Sequence, residues 1–141
     1  MNDDQQKIND NGGQVLTVVV PVYNEKEVLP EFHRRLANVL DGLAINSEII
    51  YINDGSVDGS LDQIHKLKAE DVRVAVIDLS RNFGKEIAMT AGLDHAHGDA
   101  VVVIDADLQD PPELIPEMIE HWQSGYDVVF ATYLACGRIC H

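Results

Sequence analysis

The chain has 141 residues, 45% of them hydrophobic, enough to build one compact domain around its own core. Ten Lys and Arg stand against 24 Asp and Glu, a formal net charge of −14, which argues against unaided binding to a DNA or RNA backbone. No apolar run approaches the ~18–20 residues of a membrane span and no signal peptide is recognisable, so the expectation is a soluble, cytoplasmic chain.

Residues 1–14 are polar and acidic and read as a disordered lead-in, with Gly12-Gly13 near its end. From residue 15 short apolar runs alternate with helical periodicity. VLTVVV (15–20), EIIYIN (48–53), VRVAVI (72–77), AVVVI (100–104) and DVVFA (127–131) read as buried strands. The first helix runs from Pro30 to Leu43 with Phe32, Leu36, Val39, Leu40 and Leu43 on one face, and Pro30 suits its first turn. Leu61, Ile64 and Leu67 mark a second helix, Gly84 to Ala96 an alanine-rich third, and Leu114, Ile115, Met118, Ile119 and Trp122 a fourth. Such alternation predicts an α/β fold: a Rossmann-like, mostly parallel sheet with helices on both faces.

Ligands of open parallel sheets bind beyond the carboxyl ends of the strands, so the segment leaving each strand carries the functional information. The first four exits are PVYNE (21–25), NDGSVDGS (53–60), DLSRNFGKE (78–86) and DADLQDPPE (105–113). All are polar and each contains glycine or proline. The third supplies Arg81 and Lys85, the last cations before a stretch without Lys or Arg that reaches to Arg138 and holds ten acids. A solvated acidic face accounts for the helical glutamates in that stretch. It does not account for acids at the end of a buried strand.

Asp105 and Asp107 are i and i+2 residues at such an end. If both leave the strand on the same side, their carboxylates sit ~6–7 Å apart. At an effective dielectric of ~20 that repulsion costs roughly 2–3 kcal/mol, and a bound cation is the expected offset. With Gln109 the pair offers hard oxygen ligands for Mg²⁺ or Mn²⁺, phosphate oxygens and water completing the shell. The EF-hand pattern fails, since Asp110 falls where glycine is needed and Pro116 where glutamate is needed. A strand-terminal aspartyl-phosphate site of the haloacid-dehalogenase kind is an alternative, although Leu108-Gln109 departs from it. Asp110 itself suits a helix cap before Pro111-Pro112.

The remaining exits are modest alone. Asp54, in a turn with Gly55 and Ser56, reads either as a turn residue or as a carboxylate accepting hydrogen bonds from a base or ribose. Asn24 can cap the next helix, and Tyr23 can stack on a base or simply pack. Arg81 and Lys85 are surface charges or phosphate contacts. A P-loop is excluded because Leu79 and Glu86 stand where it needs Gly and Ser/Thr; no G-x-G-x-x-G follows the first strand, and H-E-x-x-H and G-x-S-x-G are absent. Cys136, Cys140 and His141 lack a fourth zinc ligand, so the cysteines read as free thiols in a reducing compartment.

Taken in order and at these spacings, VVVPVYNE, INDGSVDGS, LSRNFGKEIAMTAGLDHA and VVVIDADLQDPPELIPEMIEHWQSGYDVV resemble glycosyltransferase family 2. Within it they are similar to the polyprenyl-phosphate group that includes dolichol-phosphate mannosyltransferase and bactoprenol glucosyltransferases. The resemblance covers residues 15–131. It implies a GT-A nucleotide-diphospho-sugar transferase fold and inverting transfer of a sugar from a UDP- or GDP-sugar to a lipid-phosphate acceptor at the inner membrane surface. By the same resemblance Pro21, Tyr23, Asn24 and Glu25 line the nucleotide pocket, and Asp54, Gly55 and Ser56 meet base or ribose. Arg81 and Lys85 lie near the donor. Asp105 and Asp107 are the catalytic D-x-D pair and, with Ala106 between them, also meet the nucleotide-sugar, while Asp105, Asp107 and Gln109 hold Mg²⁺ or Mn²⁺. The closing TYLACGRICH has no family character, with Tyr133 where a basic residue is expected. Residues 132–141 therefore read as an atypical tail, and the domain as incomplete at its C-terminus. A second reading is a non-catalytic nucleotide- and cation-binding fragment whose exposed sheet edge favours homo-oligomers.

Overall fold

A computed structural model of the chain describes residues 13–107, 109, 111–124, 129–131 and 138–140. Strand β1 (Val15–Val22) is buried from Leu16 to Val22. A strand apolar on both faces must be covered on both, and a parallel sheet sandwiched by helices provides that cover. Helix α1 (Leu29–Asp41) leads to β2 (Asn46–Asn53), α2 (Ser60–Glu70) to β3 (Val74–Asp78), and α3 (Lys85–Asp94) to β4 (Ala100–Val103). A 3-10 turn (Pro112–Leu114) and α4 (Ile115–Gln123) come next. The strands pair in parallel in the order β3-β2-β1-β4.

That order contains the decisive feature. The chain lays β1, β2 and β3 side by side, then crosses back to place β4 on the other side of β1. Right-handed crossovers put α1 and α2 on one face and, once the direction reverses, α3 on the other. Packing agrees. Phe32, Leu36 and Leu40 of α1, Ile64 and Leu67 of α2, and Ile115 and Ile119 of α4 share one core with Leu16, Val18, Val20, Ile49 and Tyr51. On the opposite face Ala88 of α3 packs on Val19, Ile50 and Ile52. There α3 lies so close to the sheet that a Cβ on Gly92 would come within 2.4 Å of Val19 Cγ1 and 2.8 Å of Ile52 Cδ1.

One buried polar group crosses the larger core. His33 places Nδ1 2.7 Å from the Tyr51 hydroxyl and Nε2 3.0 Å from Asp71 Oδ2. Arg73 donates to Asp71 through Nε and Nη2, each at 3.0 Å, and through Nη1 to Asp41. The Arg73 guanidinium, against some opposition from burial, holds the Asp71 carboxyl down at about 2, with its backbone N–H and His33 helping. Burial, and then the Asp71 charge, push the Tyr51 phenol well above its ordinary value. Among the described residues no buried side-chain nitrogen or oxygen is left without a partner.

The expected strands and helices all form, with shifted ends, but β3 and β4, the outer strands of the four-stranded sheet, are not the buried strands expected. Val101 and Val103 are exposed and β3 is fully buried only at Val74, because an outer strand is covered on fewer sides. Helix α3 begins at Lys85 and ends at Asp94, inside the expected span. Strand β4 closes at Val103, yet Ile104 still donates to the Val19 carbonyl, so the alternation runs on toward Asp105. The expected fifth strand is seen as β5 (Val129–Ala131), which pairs antiparallel with β6 (Arg138–Cys140) and lies outside the four-stranded sheet. Antiparallel partners need only a short connection, whereas joining the parallel sheet requires a crossover. Residues 1–12, the Asp110 cap and the side chains of Cys136, Cys140 and His141 lie outside the described residues.

Candidate functional site

Because strand order reverses at β1, the loops leaving β1 and β4 diverge and a crevice opens between their carboxyl ends. A cleft of about 360 Å³ occupies this position. Its walls come from Pro21, Val22, Tyr23 and Glu25 after β1, and from Asp54 after β2. Asn82, Gly84 and Lys85 come from the β3 exit, and Asp105 and Asp107 from the β4 exit. All four exits picked out from the sequence converge on one space.

Residue alternation decides where the acids point. Val102, Ile104 and Ala106 turn into the larger core. Val101, Val103 and Asp105 therefore face the side of α3. Lys85 opens that helix, and its Nζ lies 2.7 Å from Asp105 Oδ2. The repulsion expected to call for a bound cation is thus met in part by a cation of the chain itself. Asp107 Oδ1 accepts the Gln109 backbone N–H at 3.1 Å. Glu25 enters the cleft from the β1 side. Partial burial raises its carboxyl above the ordinary range, and the charges of Asp107, Asp105 and Asp58 raise it further.

Besides Asp54, whose carboxylate is taken up by the loop of residues 82–84, three carboxylates line the cleft, and Glu25 is raised by burial first and then by the charges of Asp107 and Asp105. Hard oxygen donors of this kind suit Mg²⁺ or Mn²⁺. Among the described residues no three His, Cys, Asp or Glu side chains gather closely enough to form a complete metal cage. Two carboxylates on a cleft wall fit instead an ion bound partly by protein and partly by phosphate and water, the usual habit of magnesium.

The other candidates fall into two groups. Asp54, read from the sequence as an acceptor for base or ribose, is buried, and its carboxylate already accepts from Phe83 N at 2.8 Å, Gly84 N at 3.1 Å and Asn82 Nδ2 at 3.2 Å. It holds the β3 exit loop against the β2 exit. Gly55 permits that closeness: its φ is +73°, and a Cβ there would stand 2.3 Å from Asn82 N. Asn24 and Ser56 form a second loop clasp, with Asn24 N donating to Ser56 Oγ and Val57 N donating to Asn24 Oδ1, both at 2.9 Å. Asn24 caps no helix, since α1 starts after Val28 without a side-chain cap.

Neither Asn24, Gly55 nor Ser56 lines the cleft; Arg81, Ala106 and Gln109 do not line it either. Arg81 stacks on the Phe83 ring at 4.9 Å, and the Ala106 side chain is buried in the core. Gln109 is exposed, and the contact it makes with Asp107 is through its backbone. Val22, Asn82 and Gly84 line the cleft without having been singled out from the sequence. Asn82 carries a sequence signal, an amide in a polar strand exit between Arg81 and Phe83.

Residues 17–139 match the Glycosyl transferase family 2 domain. The chain belongs to glycosyl transferase family 2. Membership sets aside the haloacid-dehalogenase alternative and agrees with the resemblance drawn from the four exits. A glycosyltransferase of Bacillus subtilis, YkcC, itself uncharacterised, is 56% identical over 115 residues, covering 82% of this chain and 36% of its own length. The bactoprenol glucosyl transferase of Shigella phage SfV is 48% identical over 116 residues, covering 82% of this chain and 38% of its own length. The family 2 chain thus spans little more than a third of these relatives.

Solved structures support the GT-A fold. The Pyrobaculum calidifontis mannosyltransferase PcManGT, in complex with GDP-Man and Mn²⁺, aligns with a TM-score of 0.64 at 24% identity, over 74% of this chain and 31% of its own. S. aureus TarS in complex with UDP-GlcNAc aligns with a TM-score of 0.64 at 23% identity, over 77% of this chain and 31% of its own. Among the described residues no helix is long and apolar enough to cross a membrane.

Proposed function

We propose that this chain forms the donor-binding part of an inverting glycosyltransferase that takes a sugar from a UDP- or GDP-sugar, with Mg²⁺ or Mn²⁺, and passes it to a polyprenyl-phosphate acceptor. The observation that carries the reading is the convergence of Glu25, Asp105, Asp107 and Lys85 on one cleft at the strand-order reversal. Acids there suit a divalent cation, and Lys85 suits phosphate. Relatives named bactoprenol glucosyl transferase support a lipid acceptor, and neighbours with GDP-Man and Mn²⁺ or UDP-GlcNAc support the donor class.

On this reading Asp105 and Asp107, with Gln109 beside them, hold the cation. When bound, that ion neutralises charge developing on the diphosphate leaving group. Pro21 and Tyr23 form the wall along which a nucleotide lies, Tyr23 offering an exposed ring for stacking. Asp54 keeps the loop of Asn82 to Gly84 in position, so that Lys85 meets the donor from a fixed backbone. A lipid phosphate is an anion already and needs no strong general base. Such an acceptor puts the working protein at the inner membrane surface.

The test is incubation of the chain with labelled UDP-glucose or GDP-mannose, Mn²⁺ and polyprenyl phosphate in detergent, read for glycolipid and, separately, for saturable donor binding. Glycolipid supports the full reading. Metal-dependent donor binding without product restricts the chain to the donor-binding role. Absence of both overturns the reading.

A further inference from the structure

Lys85 stands where a metal ion would be most useful. Among the described residues lining the cleft it is the basic one, and its ammonium lies 2.7 Å from Asp105 Oδ2. We infer that Lys85 is an exchangeable counter-ion, which neutralises Asp105 in the ligand-free chain, yields that carboxylate to a divalent cation, and turns its ammonium to the donor's diphosphate. The inference rests on the reading of the cleft as a donor and cation site.

Three features support it. First, the pair is unequal in exposure: the Lys85 side chain is 60% exposed, that of Asp105 25%. An ion pair reaching into water is weak and readily displaced, particularly by a doubly charged competitor that meets Asp105 and Asp107 together. Second, the backbone leading to Lys85 is anchored while the side chain reaches outward. Asp54 accepts the Phe83 and Gly84 N–H groups, and Lys85 is the next residue, the first of α3. A four-carbon stem on a fixed base can redirect its ammonium without moving the helix. Third, the cleft is acidic enough that Glu25 is pushed toward protonation by burial and by Asp107 and Asp105, even with Lys85 present. A second positive charge arriving at Asp105 and Asp107 repels the ammonium, and the nearest new anion is the phosphate that accompanies it.

The exchange predicts effects of opposite sign from one substitution. In Lys85→Met, Mn²⁺ alone, titrated by electron paramagnetic resonance without nucleotide, should bind about two- to fivefold more tightly, because the competing ammonium is gone. With Mn²⁺ saturating, UDP or GDP measured by calorimetry should bind roughly tenfold or more weakly, because a charge-assisted contact to phosphate is lost. Lys85→Arg keeps the charge and should stay within about twofold of wild type for Mn²⁺. Thermal melting of each variant confirms that the fold is intact.

Unchanged or weakened Mn²⁺ affinity in folded Lys85→Met overturns the exchange while leaving the donor-site reading standing. Tighter Mn²⁺ with unchanged nucleotide affinity overturns the hand-over to phosphate. If wild type and variants alike bind neither Mn²⁺ nor UDP or GDP, the donor-site reading fails, and the exchange with it.

Discussion

Two clusters of acids in this molecule behave in opposite ways. Around His33, the carboxylate of Asp71 meets an imidazole, a guanidinium and a backbone N–H, all supplied by the chain. It is held far into its charged form. Around the cleft, Glu25, Asp105 and Asp107 share a space in which Lys85 answers part of the charge, and Glu25 is pushed the other way. A carboxylate is favoured as the anion at Asp71 and disfavoured as the anion at Glu25. Asp71 is fully matched by groups of the chain, whereas the cleft gathers more carboxylates than Lys85 alone can offset, and it is on this surplus that the proposed donor site rests.

Four substitutions test that division. The largest effect belongs to Asp107→Ala, which should remove measurable metal-dependent binding of UDP or GDP in calorimetry while leaving the melting temperature unchanged or slightly raised. Unchanged affinity would detach the D-x-D pair from the cation. Gly55→Ala comes next. A Cβ at φ +73°, pressed against Asn82, should destabilise the fold by about 1–3 kcal/mol in urea unfolding and weaken nucleotide binding by displacing the Asn82 loop.

Asp71→Asn should cost on the order of 2 kcal/mol at pH 7, from a carboxyl lowered from 3.8 to about 2, and should not alter nucleotide affinity. The sign is set by the depressed value. Asp71 contributes its stability in full above pH 3.8 and loses it as pH falls through about 2, so wild type and variant should converge in strong acid.

Glu25→Gln should give the smallest and opposite effect. A carboxyl raised on folding stabilises most below its ordinary value of 4.5 and loses that contribution as pH rises through the raised one. In the metal-free chain the Gln variant should therefore melt a few degrees or less above wild type at pH 7, with the gain gone below about pH 4. Saturating Mn²⁺ with UDP should abolish the gain, since bound cation removes the repulsion that the substitution relieves. A Gln variant that melts lower at pH 7 would show that Glu25 is a brace like Asp71.

Much of this site was legible in the chain because strands and helices announce themselves locally. The apolar run of β1, the periodicity of α1 and α2, and the acids at the end of β4 are short-range patterns, and an α/β fold gathers the segments leaving its parallel strands at one end of the sheet. Pro21, Tyr23, Glu25, Asp54, Lys85, Asp105 and Asp107 lie around the cleft for that reason. Asn24, Gly55 and Ser56 illustrate the limit. Their residue types suit a ligand or a loop clasp equally well, and contacts between positions 24 and 56 leave no local mark.

The alternation of elements, the four polar exits, the excess of acid after Lys85 and, through their combination, the family are written in the order of residues. Which exit residues face the cleft depends on how the sheet packs. That packing turned Asp54 toward the loop of Phe83 and Gly84, brought Lys85 onto Asp105 across 20 positions, and set Glu25 among the aspartates. The difference is one of range. Periodicity is written in neighbouring residues, whereas the pairing of charges across loops depends on strand order, and strand order is settled only when the whole sheet packs.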